Sequence, residues 1–66
     1  MKHYLFCEEV SGEEFIVGAN DKEEAFDIAI PIAEDIAENW NEGVYELIFY
    51  SELTEEEAEA SGLDEY

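Results

Sequence analysis

Lys2 and Lys22 are the only cations set against twenty aspartates and glutamates, leaving a formal net charge of -18 at pH 7. Any fold open to this chain must keep nearly all of those carboxylates in water, because an unpaired buried carboxylate is too costly to hold ionised. A small domain is ordinarily soluble at a net charge of magnitude about 2 to 8. The surplus here repels itself in the compact state and needs a reason. A disordered acidic tail would avoid that repulsion, but the composition argues against one. The chain is 47% hydrophobic and 14% aromatic, and its apolar residues fall in periodic runs that can drive collapse. The expectation is a folded domain with an acidic surface.

Sixty-six residues allow one domain, spanning residues 1–66, with a small core, since chains near this length bury only about 60% of their unfolded surface. Cys7 is the single cysteine, which excludes an internal disulfide and a cysteine zinc cluster. The apolar run Tyr4-Leu5-Phe6-Cys7 stops at Glu8 and Glu9, too short for a secretory signal core. No stretch approaches the roughly 20 apolar residues of a membrane span, and an anionic leaflet would repel the surface. The expected location is the cytoplasm, with no membrane partner.

Residues 2–10 read as a strand and residues 14–19 as a second, joined at Ser11-Gly12 in a β-hairpin. A two-residue loop would set Glu9 opposite Glu14, and like charges directly opposite destabilise a pair. A longer loop competes with it, so the register stays open. Asn20 or Asp21 caps a helix, with Glu23 or Glu24 completing a capping-box pattern. That helix runs to about Trp40 and stops at Asn41-Glu42-Gly43. Pro31 removes the hydrogen bond to Asp27, which predicts a kink or break in the middle.

On a helical wheel Ala25, Phe26, Ile28, Ala29, Ile30, Ile32, Ala33, Ile36, Ala37 and Trp40 fill one arc. Glu23, Glu24, Asp27, Glu34, Asp35, Glu38 and Glu42 fill the opposite one. Trp40 reads as a core anchor, with a partner-facing role as the alternative. Residues 44–51 read as a third strand. Thr54-x-x-Glu57 is a capping box for a short helix that Gly62 ends. The tail 64–66 is expected to fray.

The order β-β-α-β with a terminal helix defines an α+β domain. Its predicted form is a three-stranded antiparallel sheet with strand one in the centre and the main helix on one face. Both sheet faces carry apolar residues. The second face is covered either by the segment around Leu53, Ala58 and Leu63, or by a second copy meeting it at Ile48 and Tyr50.

No catalytic constellation emerges. Calcium needs oxygen ligands at a defined loop spacing with a turn glycine, and no such run exists. Glu8, Glu9, Glu13 and Glu14 flank a turn and read as solvated. His3 has no second imidazole for zinc. It is also about 13 Å along a strand from Cys7, too far for a nucleophile–base pair. Gly12, Gly18, Gly43 and Gly62 are scattered and form no phosphate-cradling loop. Direct nucleic-acid binding needs cations the chain lacks. The reading is a non-enzymatic protein with no metal and no cofactor.

The acidic arc is the remaining feature. Between Glu23 and Glu42 a helix spans about 28 Å, along which one strand of B-DNA carries about 8 phosphates. Seven carboxylates lie there, unevenly spaced, with almost none of the opposite-sign i,i+4 pairs that ordinarily stabilise a solvated face. A salt-rich cytoplasm is another origin of such a surface, although the acids are mostly glutamate rather than aspartate. On its charge, size and the carboxylates Glu23, Glu24, Asp27, Glu34, Asp35, Glu38 and Glu42, the chain resembles small acidic DNA-mimic proteins of phages and mobile elements. That class shares no single fold, so no residue correspondence follows. The resemblance implies an inhibitor or modulator, anti-restriction or anti-CRISPR-like, whose partner is a basic nucleic-acid-binding protein. A self-associating structural or adaptor domain, its acids serving solubility, is the second reading.

Overall fold

The computed structural model describes residues 1–40 and 42–66. Five elements follow one another: β1 (Lys2–Glu8), β2 (Glu13–Ala19), α1 (Lys22–Trp40), β3 (Leu47–Leu53) and α2 (Glu55–Ser61). The sheet order is β2-β1-β3 and both pairings are antiparallel, so β1 is central as the pattern predicts.

The hairpin takes the longer loop. Glu8 pairs with Glu13 and Cys7 with Glu14, which leaves residues 9–12 as the turn and ends β1 two residues before its expected limit. Gly12 adopts φ 78° there and donates its N–H to the Glu8 carbonyl at 2.8 Å. Such a left-handed conformation favours glycine.

Helix α1 begins as its capping residues dictate. Asp21 Oδ1 accepts from the Glu24 N–H at 2.8 Å, and Glu24 Oε1 accepts from the Asn20 N–H at 3.1 Å. The helix then runs unbroken through Pro31, so the predicted break does not occur. Proline removes only one backbone donor, and Pro31 is exposed on the solvent side. Ala25, Ala29, Ala33 and Ala37 are all fully buried along the opposite side. This small-residue stripe lets the helix approach the sheet closely, while Phe26, Ile28, Ile32 and Ile36 pack to either side. The bulk comes from the strands. Phe6 is fully buried, with ring centroids of Phe26, Phe49 and Phe15 at 5.0, 5.7 and 5.9 Å. Offset and edge-on aromatic pairs of this kind add to simple burial. After α1, Gly43 donates to the Ala37 carbonyl at 3.0 Å. Glu42 and Gly43 have positive φ, as a helix stop requires. Asn41, also part of that expected stop, lies outside the described residues.

Strand β3 starts three residues later than the sequence pattern predicts and ends two later, pairing Glu8 with Leu47 and His3 with Leu53. Between Leu5–Ser51 and Phe6–Phe49 the register shifts, so Tyr50 is an extra residue in β3. A bulge of this type re-aims a side chain. Thr54 then caps α2 with both bonds of the capping box, and Gly62 ends it at φ 71°.

The second sheet face has its own cover. Cys7 and Ile16 point away from α1 and are buried, as is Ala58 of α2, which packs on β1 and β3. The tail differs from its expectation. Rather than fraying, residues 64–66 lie parallel to the outer edge of β2. Ile16 donates to the Asp64 carbonyl at 2.9 Å, Tyr66 to the Ile16 carbonyl at 2.8 Å, and Gly18 to the Tyr66 carbonyl at 2.8 Å. Glu65 Oε2 meets His3 Nδ1 at 2.6 Å, and the Tyr66 ring meets Phe15 edge-on at 5.9 Å. Unpaired edge groups of β2 supply the hydrogen bonds that hold so short a strand.

One acid is an exception to the solvated rule. Glu8 is fully buried, on the α1 side of β1 with Tyr4 and Phe6. Its Oε1 accepts from the Ser11 N–H at 2.8 Å, and its Oε2 accepts from Val10 and Glu46 N–H groups, both at 2.9 Å. Burial alone would raise its pKa. The Glu46 N–H, the Ser11 side chain and the Val10 and Ser11 N–H groups outweigh burial and hold it near 2. One carboxylate thus closes the hairpin turn and fixes the approach to β3. Glu8→Gln turns an NH2 group toward backbone donors and leaves buried N–H groups unmet. It is expected to cost about 2 to 3 kcal/mol, read as a lower urea midpoint with an unchanged slope. An unchanged midpoint would mean that these bonds contribute nothing net.

Candidate functional site

Every carboxylate of the predicted acidic face is exposed: Glu23, Glu24, Asp27, Glu34, Asp35, Glu38 and Glu42. They are exposed because α1 turns its alanine stripe inward. The 19-residue helix is about 28 Å long, most of the 34 Å longest extent of the fold. The acids form two groups, Glu23, Glu24 and Asp27 in the first turns and Glu34, Asp35 and Glu38 near the end. About 10 Å of axis separates Asp27 from Glu34, with Pro31 in the gap. Among the described residues the only one of the seven whose carboxylate is engaged is Glu24, on the Asn20 N–H.

Among the described residues no lysine forms a salt bridge with this face. Among the described residues the single ion-pair contact is His3 with Glu65, which is ionic only when the imidazole is protonated. Lys22 Nζ lies 4.2 Å from the centroid of the Phe49 ring, a cation–π position rather than a carboxylate pair. Lys2 pairs with Ala19 at the open end of the hairpin, whereas the Lys22 ammonium reaches over Phe49, which pairs with Phe6 toward the other half of the sheet.

At the hairpin pole the exposed charged residues, among those described, are acidic. Glu9, Glu13, Glu38, Glu42 and Glu46 are exposed there. Helix α1 also points its negative C-terminal end at this pole, with no basic residue in its last turn, adding to the potential.

Trp40 departs from its predicted role. Its wheel position faces the sheet, yet it is 75% exposed. One turn earlier Ala37 is fully buried, so the cover on this side of α1 ends between Ala37 and Trp40. Ile30, at the border of the apolar arc, is also exposed.

The proposed dimer-face residues lie on the α2 side of the sheet. Ile48, opposite Cys7, is half-buried, and the bulged Tyr50 is 44% exposed. Tyr50 donates its hydroxyl to Glu9 Oε1 at 3.3 Å, and Cys7 Sγ lies 3.7 Å from Glu9 Oε2. Burial, first, with the Glu9 and Glu14 charges, pushes the Cys7 thiol up against a smaller opposing effect of Tyr50. The Cys7 contact, burial and the Glu9 charge raise the Tyr50 phenol as well. A thiol held protonated is a poor nucleophile.

Among the described residues no three His, Cys, Asp or Glu side chains converge as metal ligands would. No helix among them is long and apolar enough to cross a membrane. An open groove at the Lys2 end is lined by Met1, Lys2, His3, Glu52, Leu53, Thr54 and Glu55. Compared with known proteins, the chain matches no protein-family model, no curated protein and no solved structure.

Two contributors escape a reading based on charge alone. Glu8 carries the charge of a solvated acid, but alternation with Tyr4 and Phe6 places it on the core side, where it is buried. Trp40 has a sheet-facing wheel angle, but a wheel angle alone does not reveal where the cover over the helix stops. The unneutralised acids make a direct physical prediction. Raising sodium chloride from about 0.02 to 0.5 M shortens the screening length several-fold and is expected to raise Tm by about 5 °C or more. A flat response in a calorimetric series would mean that the carboxylates do not strain the fold.

Proposed function

We propose that this protein is a non-enzymatic acidic binding protein that presents α1 to a basic nucleic-acid-binding protein in place of DNA. The observation that supports this most is the row Glu23, Glu24, Asp27, Glu34, Asp35, Glu38 and Glu42. All seven are exposed, on and just beyond a single continuous helix, and among the described residues none forms a salt bridge with a lysine. A cleft lined by lysine and arginine gains affinity from phosphates by releasing their counterions, and a rod of comparable charge density offers the same exchange. Binding would occlude the cleft, so the protein inhibits or modulates its partner, as phage-type DNA mimics do. The setting is the cytoplasm, and neither a cofactor nor direct nucleic-acid contact is involved.

A self-associating adaptor is the second reading, supported by the exposed bulge residue Tyr50 beside Ile48. Here Ile48→Glu is expected to convert a dimer into a monomer in sedimentation. A wild-type protein that is monomeric at every concentration would end this reading.

For the mimic, immobilised protein is expected to retain basic DNA-binding proteins from a cell lysate, and duplex DNA to displace them. The triple change Glu34→Gln, Asp35→Asn, Glu38→Gln is expected to weaken retention by at least about tenfold, since each neutralised contact removes one counterion-release step. Retained proteins that ignore added DNA would refute mimicry.

A further inference from the structure

The hairpin pole carries four exposed apolar side chains among its acids. Trp40 is 75% exposed, Val44 62%, Val10 50% and Tyr45 37%. The Glu8 carboxylate holds them at one end. Its Oε2 accepts from both Val10 and Glu46 N–H groups at 2.9 Å, so Val10 and the 44–46 connector are immediate neighbours. Glu9 also donates to the Glu46 carbonyl at 2.8 Å. On the other side, Gly43 bonds the Ala37 carbonyl at 3.0 Å, turning the connector back beside the last helical turn that bears Trp40. Half of the eight large hydrophobic residues exposed among the described residues lie at this pole.

We infer that the pole is a docking surface on which Trp40 seats in an apolar pocket rimmed by lysine or arginine on a partner protein. The inference rests on the anionic reading above and adds an anchor to it. Charge selects the occupant. Among the described residues no lysine or arginine belongs to the rim of Glu9, Glu13, Glu38, Glu42 and Glu46: Lys2 pairs at the open end of the hairpin and Lys22 Nζ is placed over the Phe49 ring. A second copy would bring another formal charge of -18 to the contact, and an anionic membrane would be repelled likewise. A cationic rim complements the surface and strengthens as water leaves. Tryptophan is among the residues that most often dominate such contacts.

The test uses two synthetic 20-residue peptides with the same number of lysines. One carries leucines in a helical stripe and the other has serines at those positions. Trp40 is the only tryptophan, so its emission reports the pole directly. In about 0.15 M salt the leucine peptide is expected to shift Trp40 emission to shorter wavelength and to bind about tenfold tighter than the serine peptide. Trp40→Ala, followed by calorimetry, is expected to abolish that preference while leaving the serine-peptide affinity in place. Val44→Ser, which keeps the reporter, is expected to reduce it. Both side chains are exposed, so the fold survives either change, as circular dichroism would verify.

A preference that survives Trp40→Ala, or a Trp40 emission unmoved by the leucine peptide, overturns the inference. Equal binding of both peptides overturns the anchor but leaves the anionic reading standing. Binding of neither overturns both. A concentration-dependent emission shift of the protein alone, with dimers in sedimentation, would assign the pole to a second copy and overturn the inference as well.

Discussion

The buried carboxylate of Glu8 is the interaction on which the rest of the structure depends. It satisfies three backbone N–H groups from two separate segments, the hairpin turn and the connector before β3. Turn amides that face inward would be costly without an acceptor, and no other side chain among the described residues takes these three. The single buried acid therefore sets the hairpin register, fixes where β3 begins and assembles the pole. In a chain whose charges otherwise repel one another, this carboxylate contributes to cohesion through hydrogen bonds rather than through an ion pair.

Packing and charge divide the remaining work. Strands supply the aromatic bulk around Phe6 and the helix supplies small alanines, so α1 can lie flat on the sheet and expose its whole acidic arc. Lys22 is occupied over the Phe49 ring, and the helix ends in an exposed Trp40. The functional proposals follow from that arrangement: an anionic helix for a cationic cleft, ending in an apolar anchor.

Much of this was legible in the residues themselves. The element order, a cap at Asn20 or Asp21, the Thr54 cap and the exposed acidic arc follow from local signals that act over a few residues, and the central β1 follows from making every pairing antiparallel. The departures have one kind of cause, which is tertiary context. Pro31 does not break α1, because the four buried alanines hold the helix on the sheet regardless of one missing donor. Residues 64–66 were too short and polar to read as a strand, and they are held by the open edge of β2 and by His3. Val44 has strand-like chemistry, but Glu8 captures the Glu46 N–H, so β3 starts at Leu47. Trp40 is apolar on an apolar arc, yet cover on that side stops after Ala37 and leaves it exposed.

The Glu8 claim has a direct test in its titration, followed by carbon-detected NMR of the side-chain carboxyl together with the Val10, Ser11 and Glu46 amides. The folded-state pKa lies below the ordinary value of 4.5. The stabilisation from Glu8 is therefore complete above pH 4.5 and is lost as pH falls toward 2. The account predicts a carboxyl signal that stays ionised through pH 4.5 and turns over near 2, with the three amide signals moving together with it. A midpoint at 4.5, with amides that do not follow, would contradict it.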